Sequence, residues 1–402
     1  MKNNYFKFSL VSFFLITFLF CQFPAKDFEI VESIPLETEL DNAKIRNTTE
    51  VWLELIRSAQ KSIDLEQFYF ANKENSQLEK VIQALKERAD HGVKIRLIAE
   101  NNMAETYPGT INRLKKHKNI KTRIISVFNE QHGVQHSKYF IIDEEKVFLG
   151  SQNFDWRALE HIHEIGLCIN HQKYAQQMTE IFELDWQQSL RDQLRKTQKY
   201  GEKTEYTINI NQEKIKFYPT ASPYFNMPHD FYSDELAIIE LIDNAQESVC
   251  IQLLSYSPSD YENYYHKIDN AIRRASLRSV KVEILLSDWC TREYEIPYLK
   301  SLQVLPNIEI KLSSIPQYSS GYIPYARVEH CKYMIVDNNI SWVGTSNWKK
   351  DYFHNSRNLG LIVKSEQINT TLQNIFDKSW HSKYSSSLNI SKEYKAKQYG
   401  EK

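Results

Sequence analysis

Residues 136–153 read HSKYFIIDEEKVFLGSQN and residues 330–347 read HCKYMIVDNNISWVGTSN, so the second stretch repeats the first position by position. The shared set is His136, Lys138, Asp143, Gly150, Ser151 and Asn153 against His330, Lys332, Asp337, Gly344, Thr345 and Asn347. Composition predicts only about 0.2 chance matches per chain to the His, Lys and Asp part of this pattern, so two copies with the same tail are not coincidence. Each copy has the shape of a hairpin: an apolar strand, a polar turn beginning at Asp143 or Asp337, and a second strand that ends at the glycine. Residues two apart on a strand share a face, which puts His136 beside Lys138 and His330 beside Lys332, with Tyr139 and Tyr333 facing the opposite layer.

The repeat extends outward from the motifs. Ala59–Phe70 (AQKSIDLEQFYF) returns as Ala245–Tyr256 (AQESVCIQLLSY), and the apolar strand Val93–Ala99 returns as Val280–Leu286, each following a helical pattern at 76–91 or 262–278. Three segments in the same order at a nearly constant offset mark a duplication, and strands alternating with helices mark α/β layers. The expected fold is two similar α/β/α layered domains, residues 28–195 and 196–402, related by a pseudo-twofold axis. Each holds half of the motif set, so one active site is expected at their interface. The polar stretch 187–215 reads as the linker, with NINQEKIKFY at 209–218 a candidate first strand of the second half.

Two His, two Lys and two Asn converging on one point suit phosphodiester cleavage. One imidazole attacks phosphorus while the other protonates the leaving oxygen and then takes a proton from water. The lysines and asparagines neutralise the equatorial oxygens, a task otherwise given to metal ions, and a lysine beside each histidine repels divalent cations. No cofactor and no metal are therefore expected. An aspartate at a turn is better placed to hold backbone than to react, so Asp143 and Asp337 are read as structural, with Gly150, Gly344, Ser151 and Thr345.

These motifs resemble those of the phospholipase D superfamily. IVESIP at 30–35, the segment after Trp52, SIDLEQFYF at 62–70, and the tails GSQNFDWRALEHIHEIGL and GTSNWKKDYF resemble its endolysosomal phospholipase D three and four branch over roughly residues 28–380. That resemblance implies a five-prime exonuclease on single-stranded DNA or RNA, anchored in a membrane and facing an acidic lumen. Phospholipid transphosphatidylase activity is also attributed to the branch. It further implies a carboxylate behind a catalytic imidazole, a position filled by Glu164 in the first half and by Asn358 in the second, which makes the halves unequal. His136 is taken as nucleophile and His330 as general acid and base.

The remaining composition bounds the alternatives. A formal net charge of -1 over 402 residues argues against a protein that coats nucleic acid by bulk charge. Trp156, Tyr139, Tyr333, Trp348 and Tyr352 are candidates to stack a base, against the commoner role of core packing. Arg157, Lys349 and Lys350 are candidates for neighbouring phosphates, against solvated surface. His161 and His163 read as alternation around an apolar strand, and Cys331 as a small buried residue. Five cysteines show no metal spacing, and Cys168 is open to a disulfide with Cys250, Cys290 or Cys331. Lys2 and Lys7 before FSLVSFFLITFLF at 8–20 read as a signal peptide or signal anchor over 1–27, with a lipid on Cys21 a third possibility, and all three place the chain outside the cytoplasm. Loops 101–110, 220–232 and 313–327 are expected to wall the cleft and choose between the two substrate classes, single-stranded nucleic acid and phospholipid. A noncatalytic membrane-associated protein is the remote third reading.

Overall fold

The computed structural model describes residues 27–188, 201–210, 213–228, 231–260 and 263–400. Residues 1–26 of the leader and much of the linker lie outside these. No helix among the described residues is long and apolar enough to cross a membrane.

The first half opens with β1 (Phe28–Ser33), then α1 (Thr48–Ser58), β2 (Ser62–Gln67), α2 (Gln77–Asp90), β3 (Lys94–Glu100) and β4 (Ile120–Ile125). The motif hairpin is β5 (Lys138–Ile142) and β6 (Lys146–Gly150), followed by β7 (Ile162–Asn170) and α3 (Gln172–Gln188). Capping side chains decide where the first two helices begin. Asn47 accepts from the Thr49 amide and Ser76 from that of Glu79. The sheet order is β1-β7-β6-β5-β2-β3-β4, parallel across β2, β3 and β4 and antiparallel elsewhere.

The second half repeats this with β8 (Glu213–Ser222), α4 (Asp234–Asn244), β9 (Ser248–Leu253), α5 (Lys267–Leu277), β10 (Lys281–Ser287) and β11 (Ile308–Ser313). A two-residue strand β12 (Val328–Glu329) leads into the hairpin β13 (Lys332–Val336) and β14 (Ile340–Gly344), then β15 (Asn358–Lys364) and α6 (Glu366–Trp380). Its order, β8-β15-β14-β13-β9-β10-β11, matches the first sheet strand for strand. The NINQEKIKFY segment belongs to this half: the strand Tyr206–Ile210 pairs antiparallel with β8.

Each sheet is covered on both faces. The outer face of the first packs Trp52, Leu55, Val81 and Leu85 of α1 and α2 against Ile63, Leu97 and Phe148, and α4 and α5 cover the second in the same way. The two inner faces share one continuous apolar cluster with α3 and α6, in which Ile141, Leu167 and Phe182 meet Tyr333, Leu361 and Phe376. The molecule is thus a pair of α/β layers fused through a common core. The stretch 101–110 is not a loop: it forms the helices Asn101–Thr106 and Pro108–Leu114, because Glu100 caps the Met103 amide and Pro108 pre-sets the start of the second.

Candidate active site

The two motif turns have the same construction. Asp143 and Glu144 lie at φ 54° and 57°, and Asp337 and Asn338 at φ 51° and 47°, a left-handed pair opening each three-residue hairpin connection. The Asp143 carboxylate accepts the amides of Gln60, Lys61 and Ser62 at 2.8, 2.7 and 2.8 Å. That of Asp337 accepts those of Gln246, Glu247 and Ser248 at 2.9, 2.8 and 2.9 Å. Both aspartates therefore tie the hairpin to the start of the adjacent strand.

At the other end of each hairpin the glycine lets a strand approach closely. A Cβ on Gly150 would lie 2.7 Å from the Cα of Gly166, and one on Gly344 would run into the Trp342 ring and the Leu359 carbonyl. Ser151 and Thr345 complete the seam. The Ser151 hydroxyl accepts the Ile165 amide at 3.0 Å, and the Thr345 hydroxyl accepts that of Leu359 at 3.0 Å. Each hydroxyl thereby sets the residue just before its partner, which is Glu164 in one half and Asn358 in the other.

Those residues do not serve their own half. β12 pairs in parallel with β7, matching Val328 to Ile162 and Glu329 to His163, and the His330 amide donates to the His163 carbonyl at 2.9 Å. Gln135 bridges Arg357 in the same sense, and the His136 amide donates to the Arg357 carbonyl at 2.9 Å. The crossover delivers Glu164 to the second histidine, with Oε2 2.6 Å from Nδ1 of His330. It delivers Asn358 to the first, with Oδ1 2.9 Å from Nδ1 of His136. The Asn358 amide is oriented by donating to the Tyr352 carbonyl and accepting from Thr345, so its oxygen faces the ring and places the His136 proton on Nδ1.

The six motif side chains and Glu164 are all buried, His136 being 4% and His330 8% exposed, so only a small face of each imidazole meets the cleft. Lys138 and Lys332 donate to the carbonyls of their own histidines at 2.6 and 2.9 Å. Burial, and then the neighbouring Lys332, pushes Lys138 well below the usual lysine range, while burial brings Lys332 down to about 8. Two buried lysine amines beside the paired imidazoles make an anion site, and a phosphoryl group there would stabilise their charged forms. Burial followed by the two lysines drives both imidazoles well below the ordinary histidine value. Burial also drives the Glu164 carboxyl up, so it and His330 hold their shared proton between Nδ1 and Oε2. The side-chain oxygens of Asn153 and Asn347 are buried without a hydrogen-bond partner; being acceptors, they cannot meet a phosphoryl oxygen, which only the amide NH2 groups could bind.

Phe68 was missed from sequence, and Arg157, Lys349 and the disulfide were misjudged, whereas core packing was the commoner role expected of the aromatics. Phe68 sets its ring edge-on to His136 at 4.9 Å, with Tyr352 on another side at 4.8 Å, and the signal for Phe68 was its place at the end of the repeated SIDLEQFYF strand. Tyr139, Tyr333 and Trp348 are core residues, and Trp156 carries Lys73 over its ring. Arg157 is not a phosphate ligand on the surface: it is buried against Asp155 at 2.7 Å. Lys349 pairs with Glu295 at 2.6 Å. Cys168, Cys250, Cys290 and Cys331 are all buried free thiols, so the disulfide expectation fails. Cys331 does turn away from the site.

His163 is more than strand alternation. It is buried, with Nδ1 2.8 Å from Glu329 and Nε2 2.8 Å from Glu32. The Cys331 sulfur completes a set of three donor atoms within 4.8 Å. Because each ring nitrogen already faces a carboxylate oxygen, a doubly protonated imidazole satisfies the cluster as it stands.

Residues 52–186 and 238–380 match the family model described as the cardiolipin synthase, PLD-like domain. The chain belongs to the phospholipase D superfamily. Among its relatives are phospholipase D Z of Dictyostelium discoideum, 30% identical over 89% of this chain and 90% of that one, and the human 5'-3' exonuclease PLD3, 30% identical over 90% and 81%. The fold is shared with phosphatidylserine synthase of Haemophilus influenzae at a TM-score of 0.62, with 13% identity and 85% of each chain covered. As a phosphodiesterase of this superfamily, the chain carries both halves of the paired motif in one polypeptide.

Proposed function

We propose that this phosphodiesterase is a metal-independent exonuclease that removes nucleotides from the five-prime end of single-stranded DNA or RNA, through a phosphohistidine on His136. The unequal backing of the two imidazoles carries the role assignment. Asn358 is neutral, so it holds the Nδ1–H tautomer of His136 without raising its basicity and leaves a lone pair on Nε2 for phosphorus. Glu164 is a carboxyl that shares a proton with His330, which keeps Nε2–H of His330 available as an acid. Nε2 of His136 forms the bond to phosphorus as the bond to the leaving oxygen breaks, and that oxygen takes the Nε2 proton of His330. The neutral His330 then removes a proton from water as its oxygen attacks phosphorus, which frees His136 and restores the acid. Lys138, Lys332, Asn153 and Asn347 offset the equatorial charge throughout.

The nucleic-acid side of the reading is supported by the likeness to 5'-3' exonuclease PLD3 along most of both chains, and by the aromatic rings of Phe68 and Tyr352 around the nucleophile. An exported or lumenal setting, with the segment before residue 28 as leader or anchor, belongs to the same proposal. The decisive assay offers single-stranded oligonucleotides with free or blocked five-prime ends, in EDTA, from acid to neutral pH. Cleavage of the free end alone is the expected result. The likeness to phospholipase D Z favours phospholipid as the second reading. Formation of a phosphatidylalcohol from phosphatidylcholine and a primary alcohol, with oligonucleotides untouched, would replace the first reading with it.

A further inference from the structure

Beyond the motif residues, an aromatic group packs on the strands that lead to Glu164 and His330. Trp289 follows the end of β10 and packs on a small apolar cluster of Ile162, Leu254, Ala326 and Val328. Ile162 and Val328 each stand two residues before Glu164 and His330, and Leu254 occupies in the second half the place that Phe68 holds beside His136 in the first. Trp289 therefore rests on the wall behind the acid. Arg292 lies three residues on, and its charge reaches Tyr352, whose ring edges His136 at 4.8 Å.

The chain covers this platform with its own later segment. The ring of Tyr399 stacks on Trp289 with centroids 3.9 Å apart and planes 13° apart. The Arg292 guanidinium donates to the Tyr399 hydroxyl and stands 5.6 Å from the ring centroid. Tyr325 donates its amide to the Tyr399 carbonyl at 2.7 Å, Tyr322 donates its hydroxyl to the Gly400 carbonyl at 2.7 Å, and Lys397 pairs with Asp288. Residues 391–396 are largely exposed apart from Tyr394, which packs on the second core, and Lys300 donates to the Lys392 carbonyl at 2.7 Å, so the segment is held by a small number of separate ties.

We propose that Tyr399 occupies a nucleobase-stacking subsite, formed by Trp289 and Arg292 beside the strands that lead to Glu164 and His330, and that residues 391–400 act as a strap that a single strand must displace. The proposal rests on the nucleic-acid reading above. A flat ring on an indole with a guanidinium at its polar edge is what a purine or pyrimidine would present there, and the freed Arg292 would face the adjoining phosphate. Stacking of this kind is indifferent to sequence, so the subsite serves any single strand.

The test compares wild type, Tyr399→Ala, Trp289→Ala, Trp289→Phe and the Tyr399→Ala/Trp289→Ala double variant. Steady-state kinetics are measured on a single-stranded oligonucleotide and on bis(p-nitrophenyl) phosphate, with thermal melting to verify folding. Tyr399→Ala is expected to lower the oligonucleotide KM about three- to tenfold while kcat on either substrate stays unchanged. Trp289→Ala should raise that KM and remove the gain in the double variant, and Trp289→Phe should restore most of it. An unchanged or raised KM in Tyr399→Ala, or a gain that survives without Trp289, overturns the subsite. Ester turnover without oligonucleotide cleavage in any protein is a different result, and it overturns the nucleic-acid reading together with the subsite.

Discussion

Proton placement at single residues decides what this site can do. Glu164 acts through His330, so Glu164→Gln should lower kcat about a hundredfold or more with little change in KM, and Glu164→Asp should recover part of the loss. Steady-state kinetics with a small phosphodiester would show it; an unchanged kcat would remove Glu164 from the acid's machinery. The Asn358→Asp change works in the opposite half. A new carboxylate beside His136 favours the charged imidazole, raises its pKa and moves the acid limb of kcat/KM to higher pH. In the wild type, burial and the two lysines hold His136 low, so as the proposed nucleophile it should stay neutral and the enzyme active below the ordinary histidine value of roughly 6.5. At the other end Lys332 loses its charge as pH rises through about 8, and kcat/KM should fall there. A pH profile of kcat/KM on the free enzyme reads both limbs.

Among the elements, the hairpins carry the most legible information. Residues 136–153 and 330–347 announced strand, turn and strand, and the His, Lys and Asp spacing assigned a face or a turn to each residue. The Asp143 carboxylate then proved to hold three successive amides of the adjoining strand. Asp143→Ala should therefore cost about 1–3 kcal/mol of stability while a small ester is still turned over, because the aspartate touches neither imidazole. Urea unfolding checks the first part, and an equal loss of kcat would show that the turn matters to chemistry. Less legible were 101–110 and 206–218. The first is polar yet helical because Glu100 and Pro108 supply local start signals, and the second is polar on one side because its hairpin lies at the edge of the second sheet.

On the scale of the whole molecule, two buried charge clusters at equivalent places lock the halves together. Arg357 of the second half reaches Asp185 of α3 at 2.6 and 2.8 Å, and His163 of the first half meets Glu329 of the second. Asp185→Asn should cost about 3–5 kcal/mol, since it strands a buried guanidinium, and a melting curve checks it. A loss below about 1 kcal/mol, the range of surface pairs, would show that the lock is weak. Burial opposes charge on His163, but the sulfur and carboxylates around it prevail and raise it well above the ordinary value. Its contribution is therefore complete below roughly pH 6.5 and is lost as pH rises through the raised value, and His163→Gln should flatten the stability profile on that alkaline side. The sequence by itself determined the duplication, the α/β layering, the paired His, Lys and Asn, and the structural duty of the turn aspartates, because spacing and strand parity are local properties of the chain. It also exposed the unequal pair Glu164 and Asn358. Only the tertiary structure decided which histidine each one serves, since that depends on two short parallel pairings between residues far apart in the chain, β12 with β7 and Gln135 with Arg357.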